Sequence, residues 1–422
     1  MSENIRVGGN VNIKVGGTTR WYAKEGVEIN SNGYIDYFAP KYTYGDPQDP
    51  PLKEGVKEIE LITPLEDGSA NDLSGNLQKG MIFGNTYQFK VKSYINNVPS
   101  NINNINWMIK YHSLSENKWI EIPLSAKGDN IKIVMAEEDL CGRFVYVRAY
   151  LKYPEKESEL KIWKHNRFRW FDRKQLKQEI EDRIINSYLI DQGGSSMCGI
   201  AVVGFNFARE NGQAYKNFIL DIHRKGKAKN ALTGYKLVID NDQHLIEYKQ
   251  TDIVYPEESL STKKMALADF IFLICLKDNM NSVFDYDPNG PNAGGIIEGG
   301  TGLTLPHEVA QLMKDMANYK DVINDTNLVM SRSRGASVWV NKLQDKLKLG
   351  YRIGLLIDSD NFSKNKKSIF TVPTHWVGLI DINCNDITEL VDVNVYTWGG
   401  TRIWTLSYDV FKDGFFGYIA GK

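Results

Sequence analysis

From residue 56 to residue 152 apolar side chains recur at every second position in short runs that end at Asn-rich or Gly-containing turns. The runs are Thr86–Val91, Trp107–Ile109, Ile131–Val134 and Phe144–Tyr150. A period of two puts alternate residues on opposite faces of a strand, so this stretch cannot be helical and reads as a β-sandwich.

The flanks read differently. Residues 1–55 hold two short alternating runs, Val11–Val15 and Tyr34–Phe38, before the break at Asp49-Pro50-Pro51. They form a small strand-rich adaptor module with too little core to stand alone. Residues 153–187 are a charged linker that becomes a helix carrying Leu176, Ile180, Ile184 and Ile185. The basic and aromatic run Lys164–Trp170 has the composition of a nucleic-acid stacking surface. The acidic residues beside it make an interdomain face the better reading. From 188 to 422 helical spacing through Ile200, Val203 and Phe207, then Tyr215, Phe218 and Ile222, predicts two early helices, and Met265–Leu276 continues the helical half. The later runs Tyr351–Asp358, His375–Ile382, Val391–Trp398 and Phe415–Ala420 predict an antiparallel sheet. The expected fold class is therefore multidomain, with all-β modules followed by an α+β domain.

A net charge of -1, from 51 basic and 52 acidic residues, gives no electrostatic reason to expect nucleic acid or an anionic membrane as partner. Four dispersed cysteines do not make a disulfide framework, so free thiols are expected. No apolar run reaches 18 residues, and the start lacks a basic region leading into an apolar one. The expectation is a chain without a transmembrane segment, made in the cytoplasm of its producer and, if it leaves, exported without a signal peptide by machinery that reads a folded domain or a partner.

Chemistry concentrates at two places. Asp191-Gln-Gly-Gly-Ser-Ser-Met-Cys198 is a glycine-rich turn opening into an apolar helix, and Thr374-His375-Trp376 begins a late strand. A helix N-terminus offers unpaired N–H groups that favour a thiolate, and a histidine can shuttle its proton. Ser195 and Ser196 are expected to cap the helix, and Gly199 to let a substrate carbonyl approach the backbone. The plainer readings are a buried core thiol and a structural histidine. His165, His223, His244 and His307 lack metal-ligand spacing. Asp285–Gly290 imitates half a calcium loop but has Ile296 where the bidentate glutamate belongs. The glycines of 292–302 lack the Gly-Lys-[Ser/Thr] of a phosphate loop and read as a loop near the cleft. No cofactor and no metal are expected.

Taken together, Gln192 six residues before Cys198, a helix before a sheet, His375 opening a strand and the later Trp398-Gly399 resemble the papain-like cysteine peptidase/amidase superfamily, including NlpC/P60-type enzymes. The segments Tyr215–Ala228 and Leu303–Val309 are similar to parts of papain-like toxin domains associated with type VI secretion in Bacteroidetes. The stretch Glu138–Phe144 resembles the corner before a late strand of an immunoglobulin-like domain, without its cysteine pair. The resemblance implies Cys198 as nucleophile, His375 as base and Gln192 in the oxyanion hole. The family's orienting asparagine position holds Tyr396 here. Strand parity then offers Asn394, and after it Asp392, as the residue across a hairpin from His375, while Asp381 lies too far along the same strand. The implied function is cysteine hydrolysis of an amide bond in a protein or peptide, as a protease-like antibacterial effector. Its implied partners are a peptide substrate, peptidoglycan peptide included, a secretion component bound through the N-terminal region, and an immunity protein. The alternatives are a peptidoglycan amidase or protein deamidase of the same fold, and a noncatalytic secreted binding or structural protein on a degenerate scaffold.

Overall fold

The computed structural model describes residues 52–193, 195, 197–239, 244–251, 265–280, 304–329, 335–366 and 371–422. The expected adaptor module of residues 1–55 lies almost wholly outside them, as do Ser196, the calcium-like turn at 285–290 and the glycine-rich stretch 292–302.

The alternating segment forms strands β1 (Gly55–Leu61), β2 (Glu66–Ser69), β3 (Leu77–Gly80), β4 (Thr86–Ile95), β5 (Asn106–Ser113), β6 (Lys118–Lys127), β7 (Asn130–Val134), β8 (Arg143–Tyr150) and β9 (Ser158–Lys164). Two antiparallel sheets, β1-β4-β7 and β6-β5-β8-β9, close on one apolar core. Trp107 is fully buried there, its indole N–H donating to the Gly128 carbonyl at 2.7 Å. The strand-rich unit runs past residue 152, because β9 pairs with β8 along its whole length. The charged residues Glu159 and Lys161, which read as linker, are the outward half of an ordinary alternation.

The run Lys164–Trp170 leads from the strand-rich unit to the helices. Lys164, His165, Asn166 and Phe168 are buried. The Lys164 ammonium donates to the Glu137 carbonyl at 2.6 Å, and the Phe168 N–H donates to the His223 carbonyl.

Beyond it follow α1 (Arg173–Ile185), α2 (Cys198–Glu210) and α3 (Gly212–Lys225), the short pair β10 (Lys227–Lys229) and β11 (Lys236–Val238), then α4 (Leu267–Asp269), a π-helical turn over Phe270–Ile274, and α5 (Cys275–Met280). Next come α6 (Pro306–Asp315), β12 (Val322–Thr326), α7 (Ala336–Lys348), β13 (Arg352–Ile357), α8 (Ser359–Lys364), β14 (His375–Asn385), β15 (Leu390–Thr397), β16 (Gly400–Ser407), α9 (Tyr408–Gly414) and β17 (Phe415–Gly421). Asp172 caps α1 by accepting from Lys174 and Gln175, and Gly226 ends α3 at φ 70°.

The expected sheet has six strands in the order β12-β17-β13-β14-β15-β16, antiparallel throughout. Helices cover both faces at its centre, so β13, β17 and the first half of β14 are buried on both sides, whereas β15 and β16 still alternate with polar residues. Leu356, Trp376 and Tyr396 face α2, α3 and α6, whereas Leu355, Val377 and Val395 face α7 and α9. Helix α2 is apolar around its whole circumference and sits at the centre of the first core, which is the burial such a helix requires.

Candidate functional site

Helix α2 starts at Cys198, so the thiol occupies a helix N-terminus as the glycine-rich turn implied. The capping differs from expectation. Met197 is the N-cap and makes no side-chain bond, while Ser195 Oγ donates backwards to the Gln192 carbonyl at 2.6 Å. The serine closes the preceding turn, leaving the first N–H groups of α2 to the thiol. That turn is fastened from below: the Arg183 guanidinium holds the fully buried Asp269 carboxylate at 2.6 and 2.7 Å, and Asp269 also accepts from the Asp191 N–H at 3.2 Å. Tyr396, which stands where an orienting asparagine was sought, serves the same loop. It stacks on Phe205 of α2 at 4.4 Å and donates its hydroxyl to the Ile190 carbonyl at 2.5 Å.

The Cys198 side meets β14 at the residue after the histidine. The backbone amides of Trp376, Gly199 and Cys198 itself favour its thiolate form. Burial pushes the thiol up to about 11, outweighing those amides and the charge on Lys277. Cys198 is only 2 % exposed. Gly199 serves packing instead of substrate approach, because a Cβ there would stand 2.6 Å from Val309 and 2.7 Å from Thr304. Thr304 in turn accepts the Trp376 indole N–H through its carbonyl at 2.9 Å.

His375 opens β14 and is 4 % exposed. Its Nε2 lies 2.8 Å from Thr397 Oγ1, and its ring stacks on Trp398 with centroids 4.1 Å apart and planes 6° from parallel. Arg402 lies over the same indole at 5.2 Å. Burial, followed by the Arg402 charge, lowers the imidazole to about 3, so it is neutral at physiological pH. Among the described residues no hydrogen bond joins the thiol to the imidazole. Trp398 and Gly399 form the two-residue loop between β15 and β16, both with left-handed φ, 44° and 67°. A bulky residue in that region is strained, and this one lays its indole flat on His375. At Gly399 a Cβ would meet Asp191 Oδ2 at 2.9 Å, so the hairpin tip rests on the loop that leads to Cys198.

Gln192 is buried in that loop, and its amide donates to the Ser195 carbonyl at 3.0 Å. Asn394 and Asp392 do not reach His375. Asn394 is registered against Asp381 and Ile403, and Asp392 accepts from Thr405 at 2.6 Å. Position 381 is six residues along β14 from His375, about 20 Å in an extended strand. Asn394 would lie roughly opposite His375 if the hairpin turned near Asn385-Asp386, but it turns a little later. The ladder continues to Asn385 and Leu390, with the turn over 386–389 and an irregularity between Leu379 and Asp381. This register carries Thr397 to the histidine. Its only sequence signal was its place just before Trp398-Gly399.

The thiol thus lies with Trp376 on the α2 face of the sheet, whereas His375, which alternates with Trp376 along β14, shares the other face with Val377, one nitrogen held by the Thr397 hydroxyl and one ring face by the Trp398 indole. With the Nε2 proton on Thr397, Nδ1 is free to act as a base. No family model matches the chain, and no curated protein matches it significantly.

Proposed function

We propose that residues 188–422 form a cysteine hydrolase of amide bonds, with Cys198 as nucleophile and His375 as its base. The observation that carries this reading is the meeting of the α2 N-terminus with the start of β14. The Trp376 amide that favours the thiolate belongs to the residue after a histidine that Thr397 and Trp398 hold in orientation. Because thiol and imidazole are both neutral at rest, His375 takes the proton as the thiol attacks the carbonyl, instead of storing an ion pair beforehand. The resulting oxyanion faces backbone N–H groups at the start of α2, and water releases the acyl group after the amine has left with a proton from the imidazolium. Gln192 joins the oxyanion site only by releasing Ser195. Thr397 takes the orienting role.

The resemblance to papain-like toxin domains extends the proposal to an antibacterial effector acting on a protein or peptide. In this proposal the strand-rich front docks to secretion hardware, and an immunity partner protects the producer. Amidase and deamidase chemistry would use the same residues. A noncatalytic scaffold is the second reading, favoured by the burial of Cys198 and by the engaged amide of Gln192. Expression of wild type, Cys198→Ala and His375→Ala in the cytosol and periplasm of bacteria separates them. Toxicity that both substitutions abolish supports the hydrolase, and equal toxicity or equal harmlessness of all three supports the scaffold.

A further inference from the structure

The outward face of the four-stranded sheet carries a row of rings, one from each strand. Trp119 on β6 is registered directly against His112 on β5, and Phe144 on β8 against Trp163 on β9. The β5–β8 ladder, carried two residues past its last pair Lys110–Tyr146, brings His112 beside Phe144. Tyr146 stands in the next row and meets the Trp119 ring at 5.6 Å, while Phe144 and Trp163 meet at 5.3 Å. These rings are not core. Trp119 is 53 % exposed and Phe144 41 %. The inward residues of the same strands, Trp107, Ile109, Val145 and Val147, already fill the shared core. Large aromatics held in line on an open sheet face serve a ligand better than they serve folding.

The charges around the row decide what it takes. Lys110 pairs with Glu121 at 3.2 Å, and Arg148 lies between Glu121 at 3.5 Å and Glu159 at 2.6 Å. Lys161 lies over the Phe144 ring at 4.1 Å. The face is close to self-neutralised, which removes the field a phosphate backbone would need. With strands about 4.8 Å apart, the row of rings with Tyr146 beside it makes a strip of roughly 15 by 7 Å, far short of the ~800 Å² per partner of a stable protein interface. Beside its Phe144–Trp163 end opens a groove of about 510 Å³, floored by Leu61, Leu160 and Ile162 and edged by Lys161.

We infer that this face binds an uncharged, β-linked oligosaccharide. Such a chain has flat C–H faces that stack on rings and edge hydroxyls that bond to the flanking carboxylates and ammonium groups, and a strip of this length holds about three sugar units. The inference stands apart from the hydrolase, since it rests on the other domain. The test titrates the full-length protein with cellohexaose, chitohexaose and laminarihexaose, with a thymidine dodecanucleotide as control, following tryptophan fluorescence at physiological salt. The expected result is saturable binding of at least one hexasaccharide, weakened tenfold or more by Trp119→Ala and by Phe144→Ala, with unfolding temperatures unchanged. Three outcomes overturn it: no hexasaccharide binding at millimolar concentration, binding that survives both substitutions, or binding of the oligonucleotide alone.

Discussion

Thr397 Oγ1 lies 2.8 Å from His375 Nε2, inside a pocket where neither residue is more than a few per cent exposed. A hydroxyl therefore holds the imidazole where an amide or carboxylate was sought, and in the proposed reaction it accepts the Nε2 proton and leaves Nδ1 as base. Thr397→Val keeps the shape and removes the partner. The expected cost is about ten- to a hundredfold in kcat with little change in KM, since a misplaced base affects the chemical step. Stability should fall by about 1 kcal/mol, the worth of one buried hydrogen bond. Steady-state kinetics and denaturant unfolding of the same preparation measure both.

Trp398 covers the imidazole face and occupies a strained φ of 44°. Trp398→Gly relieves the backbone and removes the lid, so the two effects oppose each other in stability and separate in function. Water then reaches the imidazole, and its protonation moves up from about 3 toward the ordinary histidine value. Nuclear magnetic resonance titration of the His375 ring follows the shift, and an unchanged titration would mean that the indole does not shield it.

Three buried histidines set the acid limit of the fold; burial lowers His165 below its ordinary value, and the larger shifts belong to the other two. Burial lowers His375 to about 3 and, together with Arg173, lowers His223 well below its usual value. Both are neutral when folded and bind a proton when unfolded, near pH 6.5. Their stabilisation is full above that pH and is lost as pH falls, down to about 3 for His375. At its steepest each makes stability fall by about 1.4 kcal/mol per pH unit. Denaturant unfolding from pH 7.5 to 4.5 should show this slope, and His223→Asn should remove one proton's share. Because His375 stays unprotonated across that range, turnover should decline with the folded fraction and show no separate limb near pH 6.5.

The Arg183–Asp269 pair ties α1 and α4 to the loop that carries Asp191 and Gln192. Asp269→Ala leaves a buried guanidinium unpaired and should cost about 3–5 kcal/mol. Replacing both residues with apolar ones of similar volume should restore much of that loss. A double-mutant cycle in urea tests this directly.

Much of the fold was legible because it follows from side-chain period. Phe144–Tyr150 could only be a strand with its apolar half inward. Cys198 at the head of an apolar helix was equally plain from the glycine-rich turn before it. The residue facing His375 was not, because a partner across a hairpin depends on turn length and on any irregularity in between. A turn displaced to 386–389 was enough to send Asn394 to Asp381 and bring Thr397 to the site. The end of the strand-rich unit was obscured for another reason: one face of β9 is charged, so the strand looks like linker until β8 pairs with it. Ser195 had the composition of a helix cap, but the local competition between capping and turn closure is decided by backbone geometry, and the turn won.

The central claim is that His375 activates a thiol that burial otherwise keeps inert at about 11. The direct measurement is mass-spectrometric labelling of folded protein at pH 7.5 with a peptidyl vinyl sulfone, compared with iodoacetamide. The account predicts slow alkylation by iodoacetamide, which meets a neutral buried thiol, and selective capture of Cys198 by the peptidyl reagent, which occupies the cleft and lets His375 take the proton. His375→Ala should abolish that capture while the protein still unfolds cooperatively. Capture at the same rate in wild type and His375→Ala, or no capture of Cys198 by any peptidyl electrophile in a panel, would contradict it.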